Sequence, residues 1–301
     1  MNAVTGAFGY TGKYIARRLL KLGERVVTLT GHPERPNEFS SAVKAFPFQF
    51  DNPEAMAESL ARVRVLYNTY WVRFDHGKAT YERAVANTRA LLRAAETAGV
   101  KRVVHISITN PDPKSPLPYF RGKAILEEEI RKAGFSYAIV RPTVVFGLED
   151  ILINNIAYLL RKAPLFLIPG TGQYRLQPIY AEDLARIAVD AGHASGNVTI
   201  DAVGPETFTF EELVRLIAQA VGSRAAVLHA SPHIAHAGAL VLGLLLKDVV
   251  LTSDEVAGLM GNLLISASPP TGSTRLSDWI AANAAALGAR YASEVRRHYA
   301  D

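Results

Sequence analysis

The chain of 301 residues contains no cysteine. That absence excludes disulfides, thiolate metal sites and cysteine nucleophiles. Long apolar runs are also missing. The most apolar stretch, Ala237 to Leu246, is far shorter than the roughly 20 residues a membrane span needs, and it predicts a buried helix. Nor is there a run of one charge: 33 basic and 28 acidic residues leave a net charge of +5, and the basic ones are scattered (Arg17, Arg18 and Lys21; Arg296 and Arg297). A nucleic-acid partner would want a clustered basic face with aromatic platforms, so neither nucleic acid nor membrane is expected as a partner. The histidines show no metal-ligand spacing with carboxylates, and no metal is expected. The first residues carry no basic segment followed by an apolar one, and on that ground the expected location is cytoplasmic.

What is present is alternation. Through the first two hundred residues, short β-branched runs alternate with helical patterns, as in βαβ units around a parallel sheet. The predicted strands are Ala3–Thr5, Arg25–Thr30, Val43–Phe50, Arg64–Asn68, Arg102–Ser107, Tyr137–Arg141 and Val198–Ile200. Helical stretches fall near Gly12–Leu22, Pro53–Ala61, Ala79–Ala98, Tyr119–Ala133 and Ala181–Ala191. Right-handed crossovers turn such a series into an α/β, doubly wound sheet with helices on both faces. After Gly147 the rhythm changes: 151–162 is helical, 164–172 is a loop punctuated by proline and glycine, and the chain beyond Glu206 is mostly helical. The expected division is a dinucleotide-binding domain of 1–147 plus about 176–203, with a smaller, mostly helical lobe of 148–175 plus 204–301.

Between the first strand and the first helix stands Thr5-Gly6-Ala7-Phe8-Gly9-Tyr10-Thr11-Gly12. In that context Gly6 makes a tight turn, Gly9 lets backbone approach a pyrophosphate, and Gly12 lets helix and strand pack closely. The helix N-terminus then offers free N–H groups and its positive dipole end to phosphate. The spacing TGxxGxxG resembles the short-chain dehydrogenase/reductase superfamily. Further segments are similar to its extended and atypical branch, the NAD-dependent epimerase/dehydratase-like proteins, and to the group containing the accessory Rossmann subunit of respiratory complex I. These are Asp51 after the third strand, Asn68-Thr69-Tyr70 after the fourth, Ala138 to Gly147, and Gln177 to Ala185. The resemblance covers roughly residues 2 to 220.

It implies that Asp51 meets the adenine, that Asn68, Thr69 and Tyr70 lie along the cofactor, and that Pro142, Thr143 and Val145 flank the nicotinamide. The residue reading the ribose 2′ position would stand at the end of the second strand, which runs Thr30-Gly31-His32-Pro33-Glu34-Arg35. No acid occupies the expected place, and His32 and Arg35 lie close. NADP(H) is therefore favoured over NAD(H); the alternative is that both residues belong to a solvated loop.

Tyr119 and Lys123 stand four apart at the opening of a predicted helix, on one face and one turn apart. The resemblance makes Tyr119 the general acid/base and Lys123 the group that holds the cofactor ribose. A neighbouring ammonium lowers a phenol pKa toward working pH, as proton exchange with an alcohol or carbonyl requires. The third partner is a hydroxyl near the end of the fifth strand: the resemblance puts Thr109 in that place, with Ser107 as the alternative, since alternation puts both on one face and does not separate them. His105 reads as a packed core residue, and Glu127-Glu128-Glu129 as a solvated helix face. Trp71, with Arg141 and Gln177 opposite, either lines a substrate cleft or packs under the second lobe. Taken together these residues imply an NAD(P)-dependent oxidoreductase acting on a small-molecule substrate, as a monomer or homodimer. The alternatives are a non-catalytic NAD(P)H-binding redox sensor or assembly protein, or an epimerase/dehydratase using the same parts.

Overall fold

All seven expected strands form in the computed structural model, which describes residues 1–298. In chain order they and their helices are β1 (Asn2–Thr5), α1 (Tyr10–Lys21), β2 (Val26–Thr30), β3 (Val43–Pro47), α2 (Pro53–Ser59), β4 (Val65–Asn68), α3 (Tyr81–Thr97), β5 (Arg102–Ile106), α4 (Pro118–Lys132) and β6 (Ser136–Pro142). The chain then makes β7 (Val145–Phe146), α5 (Leu152–Lys162), β8 (Leu165–Pro169), β9 (Arg175–Leu176) and β10 (Ile179–Tyr180), and returns for α6 (Ala181–His193) and β11 (Val198–Ala202). It continues through β12 (Phe208–Thr209), α7 (Phe210–Ala220), β13 (Ala226–Ala230), α8 (Pro232–Leu246), α9 (Ser253–Met260), α10 (Leu276–Asn283) and α11 (Glu294–His298). Two units result, Met1–Pro142 with Ala181–Ala202, and Thr143–Tyr180 with Val203–Asp301. Segments 143–147 and 176–180 belong to the second unit in this division.

The first unit is a seven-stranded, all-parallel sheet in the order β11-β6-β5-β4-β1-β2-β3. The order reverses between β1 and β4, and in an open α/β sheet ligands bind outside the carboxyl ends of the strands at such a point. β1, β2, β4 and β5 are buried along their whole length, because helices cover both faces and leave no water-facing side. One face packs Leu66, Val103 and Ile139 against Leu60, Leu91 and Ile130 from the helices. On the other, α1 and α6 lie side by side. Buried Arg102 is satisfied there by carbonyls at the far end of α6, its Nε donating to Ala191 O at 2.8 Å.

The second unit departs from the expectation in two places. Segment 164–172, expected as a loop, contains β8, which pairs in parallel with β13. The apolar helix expected around Ala237–Leu246 does form, as α8, but it is not buried: only Ala235 and Gly243 are covered, while Leu244 is 82% and Leu245 76% exposed. The unit's core lies elsewhere, where Ile153, Ile156 and Leu160 of α5 pack with Leu213 and Ile217 of α7 and with Ile280 of α10.

Candidate functional site at the carboxyl edge of the sheet

The β1–α1 turn is built by its own backbone. Gly6 takes a left-handed φ of +64°, donates to Leu29 O at 2.8 Å, and accepts from Gly9 N at 2.8 Å. A side chain at Gly12 would bring its Cβ to 2.3 Å from Gly6 O, which backbone cannot yield to. Buried Ala7 donates its N–H to Thr28 Oγ1 at 3.0 Å, tying the turn to β2. Phe8 stacks on Phe39 at 6.5 Å, and Tyr10 meets Tyr14 edge-on at 5.6 Å. Thr11 is half-buried in the first helical turn. The N-terminus of α1 has Gly9 as its cap residue, no capping side chain and no acid in its first turn. By contrast, Asn52 caps α2 and Thr80 caps α3. No side chain of the chain itself therefore caps the first turn of α1, the end of a helix at which phosphate groups bind.

Next to this turn, polar side chains knit three strand ends together. Thr5 Oγ1 donates to Asn68 Oδ1 at 3.1 Å and accepts from the backbone N–H groups of Thr69 (2.7 Å) and Tyr70 (3.0 Å). Asn68 reaches on to His105 Nδ1 at 3.1 Å. His105 is fully buried, and desolvation with the Lys123 charge nearby holds its pKa well below the ordinary value. It is a core residue with one ring nitrogen bonded and Nε2 left without a partner. Tyr70 closes an aromatic group with Phe48 (5.1 Å) and Phe50 (5.2 Å), and its hydroxyl accepts from Asn87 Nδ2 at 2.8 Å. The signal for that group was the alternation Phe46-Pro-Phe48-Gln-Phe50. Asp51 follows it, exposed. At the end of β2, His32 is exposed and Arg35 half-exposed; their backbones form a turn, and no ion pair involves Arg35 among the described residues. Neighbouring Arg17 is neutralised by Glu38 at 2.8 Å.

Tyr119 and Lys123 do share one face of α4, and so does an unexpected third group. The Trp71 indole packs on Gly122, where a Cβ would lie 2.7 Å from Trp71 Cη2. Its ring stands 4.6 Å from Lys123 Nζ and edge-on to Tyr119 at 5.7 Å, while Tyr81 approaches from the other side at 6.1 Å. Lys123 is 3% exposed and donates to Ile106 O at 2.7 Å. Burial pulls its ammonium pKa down to about 7, against the opposing pull of Glu127. Trp71 Nε1 has no hydrogen-bond partner.

Both candidate hydroxyls are buried. Ser107 Oγ donates to Glu127 Oε1 at 2.6 Å, so its proton is committed. Thr109, 1% exposed, carries on beyond β5 with its N–H donating to Pro142 O at 3.0 Å. The expectation of a solvated Glu127 is corrected: it is 1% exposed and accepts from Ser107, Arg131 (2.8 Å) and both arms of Arg141 (2.9 and 2.6 Å). Burial pushes its carboxyl up, and these donors more than reverse that, leaving it below the usual range. A charge this deep is stable only when it is so paired. Arg141 is therefore spent on Glu127 and not on substrate. Gln177 is likewise spent within the second unit: its Nε2 donates to Gly204 O at 2.9 Å, its Oε1 accepts from Ser266 N at 3.3 Å, and its carbonyl accepts from Thr143 Oγ1. Val145 belongs to β7, which pairs with β10 in the same unit.

A glycine turn opening an uncapped helix at the reversal point of a parallel sheet agrees with a match of residues 3–198 to the model of the NAD dependent epimerase/dehydratase family. The chain belongs to that family. Among curated proteins, it is 28% identical over 227 residues to the mitochondrial NADH dehydrogenase [ubiquinone] 1 alpha subcomplex subunit 9 of Arabidopsis thaliana, covering 71% of this chain and 56% of that one. It is 26% identical over 264 residues to the NADH-ubiquinone oxidoreductase 40 kDa subunit of Neurospora crassa, covering 84% and 68%. The chain thus spans little more than half the length of the plant subunit. Among solved structures, the NADPH complex of the Escherichia coli quinone oxidoreductase has a TM-score of 0.76 at 20% identity, covering 94% of this chain and 99% of that one. That is a likeness of fold.

Proposed function

We propose that the protein is an NAD(P)-dependent oxidoreductase acting between a bound dinucleotide and a small carbonyl or alcohol substrate, with Tyr119 as the acid/base. The observation that carries the reading is one helix face bearing Tyr119 and Lys123, with the Thr109 strand end buried beside the same sheet edge. The uncapped first turn of α1, with its space guarded by Gly12, fits a pyrophosphate. A bound dinucleotide supplies hydride chemistry at its nicotinamide ring. The protein's own part is to hold and to move protons. The N–H groups of α1 bind phosphate, and Arg35 with His32 meets a ribose 2′-phosphate, which favours NADP(H). The Tyr119 phenol oxygen gives or takes the substrate proton, and the Thr109 hydroxyl donates to the substrate oxygen as charge develops on it. Lys123, when protonated, favours the tyrosinate.

A second reading, a non-catalytic NAD(P)H-binding sensor or assembly protein, is favoured by one observation. The indole of Trp71 lies on the very face where Tyr119 and Lys123 would work. The curated relatives named as subunits of an NADH dehydrogenase are in keeping with it. Calorimetric titration with NADPH and NADH, followed by turnover on a panel of aldehydes, ketones, quinones and alcohols, tests both. Binding with turnover that Tyr119→Phe abolishes supports the enzyme. Binding without turnover on any member of the panel leaves the sensor.

A further inference from the structure

A helix that is apolar all round is ordinarily buried all round. α8 breaks that rule. From Pro232 to Leu246 it holds no charged residue beyond two histidines, yet Ile234, Leu240, Val241, Leu244 and Leu245 are 56–82% exposed. The sheet edge beneath adds to the patch. α8 rests on β8, with Gly238 against Leu167. The register of β8 and β13 puts Leu165 and Leu228 on that same face, still 41% and 52% exposed. An apolar surface of this kind marks an interaction site.

Its chemistry distinguishes the occupant. Protein–protein interface centres are enriched in aromatic residues, Met and Arg, whereas the large apolar side chains exposed here are all branched aliphatic, with exposed His233 among them. Charge gives the second argument. α8 leaves β13 through Ser231 alone and packs on β8, and the parallel register of β8 and β13 brings the entries of the two strands side by side. Lys162 and Arg224 stand just before those entries and Lys247 caps the C-terminus of α8, all three exposed. Asp248, the nearest acid in sequence, is buried and accepts from the backbone N–H groups of Glu294 and Val295 and from the Tyr291 hydroxyl. An exposed apolar face flanked by cations is complementary to an anionic bilayer, to which affinity grows with the apolar area buried and with attraction to anionic lipid. No helix among the described residues is long and apolar enough to cross a membrane, so the contact is one of apposition. We infer that α8 seats the second unit on the surface of an anionic lipid bilayer, its exposed aliphatic face entering the headgroup boundary.

The test is co-sedimentation of the full chain with vesicles of phosphatidylcholine alone and of phosphatidylcholine mixed with phosphatidylglycerol. Three basic residues at the surface should make binding to the mixed vesicles on the order of a hundredfold tighter. Leu244→Asp with Leu245→Asp changes only exposed positions and should abolish sedimentation with Tm unchanged. Lys162→Glu, Arg224→Glu and Lys247→Glu together should remove the preference for the anionic vesicles. The inference is overturned if the wild type stays in the supernatant with both vesicles, or if the double aspartate variant binds as the wild type does. It is equally overturned if light scattering shows a wild-type dimer that the double variant dissociates, since the face would then be covered by a second copy.

Discussion

At the β1–α1 turn, glycine keeps side chains out; on α4, glycine lets one in. A Cβ at Gly12 would strike the backbone of Gly6, so the small residue there preserves a tight turn that opens into a helix with no side-chain cap. A Cβ at Gly122 would strike the indole of Trp71, so the small residue there admits a ring onto the face that carries Tyr119 and Lys123. One glycine maintains an open site and the other fills one. The same unit thus carries a glycine turn opening a helix without a side-chain cap, and a candidate reactive face whose lysine is already bonded and covered. The two readings of the function differ in which of these regions they follow.

The largest effects should come from the first region. Gly9 has an ordinary φ of −90°, and its Cβ would stand 3.2 Å from Gly6 O, so Gly9→Val should fold. Its branched side chain would enter the phosphate position, and calorimetry should show dinucleotide affinity falling below detection. An unchanged affinity in a folded variant would break the contrast. Gly12→Ala should instead lose more stability than the roughly 1–3 kcal/mol usual for overpacking, because the clash is with backbone, measured by urea unfolding.

The second region is sharpened by separating turnover from binding. Tyr119→Phe should remove turnover while barely moving cofactor affinity. Thr109→Ala should lower turnover by roughly 10²–10³, as loss of one donor to developing charge does elsewhere. Ser107→Ala should cost stability, about 1–3 kcal/mol for leaving part of the buried Glu127 unsatisfied, with less effect on turnover. The reverse ranking of Thr109 and Ser107 would show that the strand-end hydroxyl is misassigned.

The strands, the doubly wound class of the sheet and the glycine turn were legible because they rest on local signals. Periodicity places strands and helices, and glycine at fixed offsets places the turn. What the sequence hid was long-range pairing. Glu127 sits in a run of three acids that looks solvated, yet Arg141 from β6 and Ser107 from the end of β5 bury its carboxylate. Trp71 and Gly122 are far apart in sequence, and only the fold puts the ring on the helix. α8 failed differently: its apolar composition reads as core, and nothing local says that its unit supplies no cover for it.

A smaller effect comes from proton linkage at Lys123. Its folded pKa is about 7 against an ordinary value of 10.5. Between those two pH values the unfolded chain holds a proton that the folded chain has released, so stability rises with pH across the window. Lys123→Met removes the linkage. Urea unfolding should find the variant more stable relative to wild type at pH 7 than at pH 10, and a gap independent of pH would mean that the ammonium is not desolvated as its position under Trp71 implies.

The smallest effect expected is on cofactor choice. Arg35 is half-exposed and has no ion-pair partner among the described residues, whereas Arg17 nearby is held by Glu38. A 2′-phosphate reaching the end of β2 would therefore find one uncommitted guanidinium, able to pair with it through two parallel bonds. Because the site is solvated, the gain resembles that of a surface ion pair, about 0.2–1 kcal/mol, and somewhat more if the fork is fully engaged. NADPH should bind a few-fold more tightly than NADH. Arg35→Ala should bring the two affinities together by weakening NADPH alone, and high salt should do the same to the wild type. An NADH preference in the wild type, or a variant that weakens both cofactors equally, would take Arg35 out of the cradle and leave the 2′ position unread by this loop.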